Sequence, residues 1–92
     1  MWMILAVLDA PTPILRSPIP AQVAADILWS ATRPEDLIEH IYVRVVQHGL
    51  HLVFYHQVPN PQTAARTVLC LCQRAGCASP VLRGWIAHVL EP

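Results

Sequence analysis

The sequence predicts an α+β domain of the ferredoxin-like type, a βαββαβ sandwich with two helices on one face of an antiparallel sheet. Three observations lead there. His40 to Val58 reads as a β-hairpin, with β-branched and aromatic arms around a turn at His48-Gly49. One segment of helical spacing precedes the hairpin and another follows it. Strand-length apolar runs lie near the two ends of the sequence. Strand, helix, strand, strand, helix, strand is the split βαβ order. Right-handed crossovers would then set both helices on one sheet face and leave the other open. At 92 residues, positions 1–92 form a single domain, which buries roughly 60–65% of its unfolded surface.

Trp2 to Leu8 is a continuous apolar run suited to a central strand. From Asp9 to Pro20 the chain holds Pro11, Pro13, Pro18 and Pro20, which favours an extended loop. Pro20 suits the first turn of a helix over Ala21 to Ala31, with Val23, Ala24, Ile27, Leu28 and Ala31 as its buried stripe. Thr32-Arg33-Pro34-Glu35-Asp36 restarts the chain, with proline at N1 and acids where the helix dipole favours them. Leu37 and Ile38 should pack this short turn.

After the hairpin, Asn60 is a good N-cap with Pro61 at N1. The helix should run to about Ala75, with Gly76 as its C′ residue. Ala64, Ala65, Val68, Leu71, Cys72 and Ala75 form its buried stripe, and Arg66, Gln73 and Arg74 fall nearer water. Ser79-Pro80 and Gly84 mark turns. Trp85 to Leu90 reads as the last strand, with a helix from Pro80 onward as the alternative.

Within the hairpin, a two-residue turn at His48-Gly49 places Tyr42 opposite Tyr55, Arg44 opposite Val53 and Val46 opposite His51. One face carries Ile41, Val43, Val45, Leu50, Leu52 and Phe54, with Gln47 and His56 near its ends, and must be the core. The other carries Tyr42, Arg44, Val46, His51, Val53 and Tyr55. Burying each large apolar group of that second row would return roughly 1.5–3 kcal/mol. Tyr and Arg are enriched at interfaces, whereas Lys and Glu are depleted there.

Composition points the same way. Apolar residues make up 54% of the chain and charged residues 13%, against about 45–50% and 25% in ordinary domains. A small domain has little interior in which to hide that excess. Six arginines balance six acids, there is no lysine, and the net charge is zero. That argues against nucleic acid, which needs a basic footprint. No run approaches the length of a membrane span, and the apolar start lacks the basic flank of a signal peptide. The expected partner is therefore a second copy of the chain, or another protein. Cys70, Cys72 and Cys77 are odd in number and clustered, which suits small buried groups in a reducing cytoplasm rather than a disulfide framework.

The remaining chemistry is sparse. In this register His40 and His51 share a face but lie roughly 20 Å apart, too far for one metal ion. Cys70 and Cys72 point in different directions on a helix. No cofactor or metal is expected. His51 and Arg44 are the catalytic candidates, His51 as a base and Arg44 as an anion holder, with Tyr42 and Tyr55 beside them. Phosphate loops and dinucleotide fingerprints are absent.

His40-x-Tyr42-x-Arg44, Gly49-Leu50, Val53-Phe54-Tyr55, Leu71-Cys72-x-Arg74-Ala75 and Ala78-Ser79-Pro80-x-Leu82-x-Gly84-Trp85 together resemble short, uncharacterised actinomycete α+β proteins. The resemblance covers roughly the C-terminal half. It implies a small cytoplasmic unit beside a biosynthetic cluster, and it assigns no activity and no site residues. The expected function is that of an accessory or interaction protein that forms a homodimer through its open sheet face. The alternative is a small cofactor-free enzyme of isomerase, cyclase or oxygenase type, acting on a biosynthetic intermediate.

Overall fold

The computed structural model describes residues 2–11, 19–57 and 60–90. Among these the elements run β1 (Trp2–Asp9), α1 (Ala21–Ala31), a 3-10 turn (Pro34–Asp36), β2 (Ile38–Val46), β3 (Gly49–His56), α2 (Pro61–Ala78) and β4 (Ile86–Val89). The protein is α+β, with a four-stranded antiparallel sheet ordered β2-β3-β1-β4. The segment left open between strand and helix holds a strand, Ile86–Val89, preceded by a turn and not by a helix from Pro80. Most of the proline-rich loop, and Pro59 after the hairpin, fall outside the described residues.

Parity along the strands decides what is buried. Ile4, Ala6 and Leu8 of β1 lie opposite Phe54, Leu52 and Leu50 of β3, which in turn oppose Ile41, Val43 and Val45 of β2. Side chains of paired residues share a face, so these three rows form one inner layer. Ala24 and Leu28 of α1 join it in one buried cluster with Ala64, Val68, Leu71, Cys72 and Ala75 of α2. Both helices therefore cover the same side of the sheet. Val43 is partly buried against this cluster, and Val45, near the hairpin turn, is exposed.

The hairpin register differs from the expected one. The turn is Gln47-His48, and Gly49 is the first residue of β3. Tyr42 pairs with Val53, Arg44 with His51 and Val46 with Gly49. The cause is β1. Asp9 pairs with Gly49, and the Ala10 N–H donates to the His48 carbonyl at 3.0 Å. A Cβ on Gly49 would sit 2.3 Å from the Leu8 carbonyl oxygen. This glycine permits a close backbone approach, while the positive φ of 68° falls on His48, which tolerates it better than most residues. A two-residue shift preserves parity, so neither face changes its residues. Near its start β2 also bulges between Ile38 and His40.

Other differences lie at the edges of elements. Val23 of α1 is exposed, leaving Ala24 and Leu28 buried with Ile27 and Ala31 beside them. Leu37 is exposed at a left-handed C-cap position with φ 56°, while Ile38 packs on the core. The expected N-cap is present at Asn60, whose side chain accepts from the Thr63 N–H at 2.8 Å. However, α2 continues past Gly76 to Ala78. Ala65 is only partly buried. Cys72 is buried, as expected of a small core residue, but Cys70 and Cys77 are exposed.

Candidate functional site

The sheet face opposite the helices is the candidate site, and strand pairing arranges it in four rows. His40, Tyr55 and Met3 form the first. Tyr42, Val53 and Leu5 form the second, which Leu90 extends through its N–H bond to the Leu5 carbonyl at 2.9 Å. Arg44, His51, Val7 and His88 form the third. Val46, Gly49, Asp9 and Ile86 form the fourth.

Every interface residue expected from the sequence is on this face: Tyr42, Arg44, Val46, His51, Val53 and Tyr55. Large apolar side chains stand open on it, with Met3 52%, Tyr42 54%, Ile86 56% and Leu90 45% exposed. Tyr42 holds two edge-on ring contacts, with His40 at 4.3 Å and Tyr55 at 5.8 Å between centroids. A cavity of about 230 Å³ opens among Leu5, Val7, Tyr42, Arg44, His51, Val53 and Leu90. It brings four of the six expected residues together and leaves Val46 and Tyr55 outside its lining.

Reading β1 as an unbroken apolar run missed half of this surface. Met3, Leu5 and Val7 point outward, and β4 adds Ile86 and His88. Odd–even parity in β1 was a usable signal, but only once β1 is known to lie beside β3.

Arg44 and His51 are directly opposed, with Cβ atoms about 4.5–5.5 Å apart in such pairs. An imidazole and a fixed cation at the mouth of an apolar cavity can hold an anionic group and exchange a proton with it. His40 is four positions from Arg44 on β2, about 13 Å from the His51 row, shorter than the expected register gave. Among the described residues no three His, Cys, Asp or Glu side chains come close enough to hold a metal ion. Nor is any helix among them long and apolar enough to cross a membrane.

A second polar cluster lies under the helices, away from this face. Asp36 accepts from the Arg33 N–H at 2.9 Å and from Arg74 Nη1 at 3.0 Å, and the same Nη1 reaches the Ala31 carbonyl at 2.6 Å. Arg74 thus ties α2 to the 3-10 turn instead of pointing into water. Burial opposes the Asp36 charge, but the Arg74 and Arg33 bonds and charges outweigh it and hold the carboxyl below its usual range. His56 is fully buried on the helix side. Burial lowers its pKa, and the Asp36 charge offsets this only in part. Burial pushes the Cys72 thiol up to about 12.

Comparison of the chain with family models, curated proteins and solved structures returns no match.

Proposed function

We propose that this chain is a ferredoxin-like accessory or interaction protein that pairs with a second copy of itself through the open sheet face. The observation that carries the reading is the set of exposed apolar side chains on that face, contributed by β1, β2 and β4 with Leu90, around the half-buried Val53 and Tyr55 of β3. Scattered exposed apolar residues are ordinary, but a continuous layer of them marks an interaction surface. The four strands hold 8, 9, 8 and 4 residues, which at about 4.8 Å by 3.3 Å each cover about 460 Å² of flat area. Two such faces reach about 900 Å² before side-chain relief is counted, close to the ~1,000 Å² lower bound for a specific interface.

A second copy fits this surface better than a charged partner does. The chain has zero net charge and no lysine, so two copies approach without strong repulsion. The cavity, at about 230 Å³, falls below the ~300 Å³ typical of the smallest ligand sites, so it suits a side chain of the second copy. The cytoplasm is the compartment that fits three cysteines kept as thiols.

The test is molar mass by sedimentation velocity on the intact chain and on Tyr42→Asp and Val53→Asp. The wild type should sediment as two chains and both variants as one, with unchanged circular dichroism. A single-chain mass for the wild type at high concentration overturns the reading, as does pairing that survives both substitutions.

The directly opposed Arg44 and His51 beside the cavity favour a second reading, a small cofactor-free enzyme with His51 as base and Arg44 as anion holder. In that case His51→Ala and Arg44→Ala keep the pair intact but abolish a cellular product.

A further inference from the structure

We infer that the outer edge of β2 is a second self-association surface, on which two copies join antiparallel about Val43 into one sheet, four strands from each. The edge is open whether or not the outer face is covered, so the inference does not rest on the pairing proposed above.

β2 and β4 are the edge strands of the sheet. β4 holds four residues and β2 nine, and a very short edge is one device that keeps strands from pairing. β2 carries neither proline nor lysine, two further devices. The Ala10 N–H donates to the His48 carbonyl, and the Gln57 N–H to the Leu37 carbonyl. His48 therefore bonds toward β1 and Gln57 toward the β2 side. Backbone groups alternate in direction along an antiparallel strand. Gly49, His51, Val53 and Tyr55 thus bond to β2, through their partners Val46, Arg44, Tyr42 and His40. Ile41, Val43 and Val45 are left with N–H and C=O groups aimed away from the sheet. Among the described residues no turn, loop or cap bond ends on them. Nor does α1 close the edge, since a cavity of about 190 Å³ lies between its Ala21, Gln22 and Ala25 and Ile41 and Val43 of β2.

β2 is complementary to itself in one register. Two copies pair antiparallel about a two-fold axis, and residues aimed outward must meet residues aimed outward. Centring on Arg44 opposes two like charges. Centring on Tyr42 runs Val45 into the bulge at Glu39, and centres nearer either end pair fewer residues. Centring on Val43 avoids all three. It sets Ile41 against Val45 of the second copy, covering a valine that faces inward yet is exposed. It also sets Tyr42 against Arg44 of the second copy in the closely spaced pair type, where the guanidinium can stack on the phenol ring. One strand a side covers much less than the ~1,000 Å² of a specific interface, so the contact is short-lived and leaves the mass of dilute chains unchanged.

The test is an interchain disulfide in the full chain, with the exposed thiols removed as Cys70→Ser/Cys77→Ser. Hydrogen-bonded residues opposite each other have Cα atoms about 5.5 Å apart, within disulfide reach. Val43→Cys on that background, treated with diamide, should run as two chains on a non-reducing gel and as one after reduction. Val45→Cys should stay a single chain, because it lies about 13 Å along the strand from its counterpart. Adding Val45→Pro to Val43→Cys deletes an outward N–H and no bond to β3, a substitution that edge strands accept. It should abolish the cross-link with circular dichroism unchanged. Val45→Lys, which charges the edge and leaves the backbone as it is, should do the same. Adding Val53→Asp, which opens the outer face, should leave the cross-link in place, so the two contacts are read separately. Absence of a cross-link at Val43→Cys overturns the proposal. Equal cross-linking of Val43→Cys and Val45→Cys does so too, as does a cross-link that survives both Val45→Pro and Val45→Lys.

Discussion

Gly49 shows how one residue sets the position of a whole strand. Its missing Cβ is the space that the Leu8 carbonyl occupies, so Gly49→Ala forces β1 and the hairpin apart. The expected loss is about 1–3 kcal/mol, the usual penalty for overpacking, read by chemical denaturation. His56 makes a second prediction at this scale. Its folded pKa lies below the ordinary 6.5 because burial disfavours the imidazolium. Between those two values the unfolded chain binds more protons than the folded one, so this contribution to stability is complete above pH 6.5 and is lost as the pH falls toward the folded value. Asp36 behaves as a depressed carboxylate, and its contribution is present above its ordinary 3.8 and lost only below that. Unfolding free energy, measured on the Tyr42→Asp background to remove pairing, should fall between pH 7.5 and 5.5. His56→Leu should flatten that slope, and a slope unchanged by the substitution would place the titrating group elsewhere.

Among the elements, α2 ties the fold together, and its buried stripe was legible from spacing because Ala64, Val68, Leu71, Cys72 and Ala75 repeat at three and four residues. Leu71 is fully buried, so Leu71→Ala should cost about 2–5 kcal/mol. The same helix sorts the cysteines. Two of the three thiols, Cys70 and Cys77, are exposed, whereas Cys72 is buried with its thiol pushed up to about 12. Only thiolate reacts, so a disulfide reagent should modify Cys70 and Cys77 in the native protein and reach Cys72 only after denaturation. The elements and faces were readable because they depend on local periodicity, and the Asn60 cap because it needs only neighbouring residues. The hairpin register was not, since His48-Gly49 and Gln47-His48 both satisfy the local turn and give the same parity. The choice between them is made by β1, forty residues away in the chain. Arg74 and its bonds to Ala31 and Asp36 were hidden for the same reason: a polar helix position looks solvated until the element beside it is known. Met3, Leu5 and Val7 joined the candidate site only once β1 had a neighbour.

For the molecule as a whole, the two sheet faces demand different solutions from one sequence. The inner face is closed by α1 and α2, and its residues belong to folding. Among the described residues no helix closes the outer face, and it holds part of the apolar surplus that a chain of 54% apolar residues cannot place inside so small a domain. If a second copy closes it, stability and association are linked, because a partner that binds only the folded form stabilises it by mass action. Thermal unfolding should then depend on concentration. Raising the chain concentration 100-fold should move the wild-type Tm upward, since the free energy of a dimer unfolding to monomers contains the logarithm of concentration. Tyr42→Asp and Val53→Asp, which place a charge within the outer rows, should unfold at a Tm independent of concentration. Leu52→Asp, on the same strand but facing inward, should fail to fold at any concentration. Concentration independence of the wild-type Tm would mean that the outer face remains wet in the folded molecule.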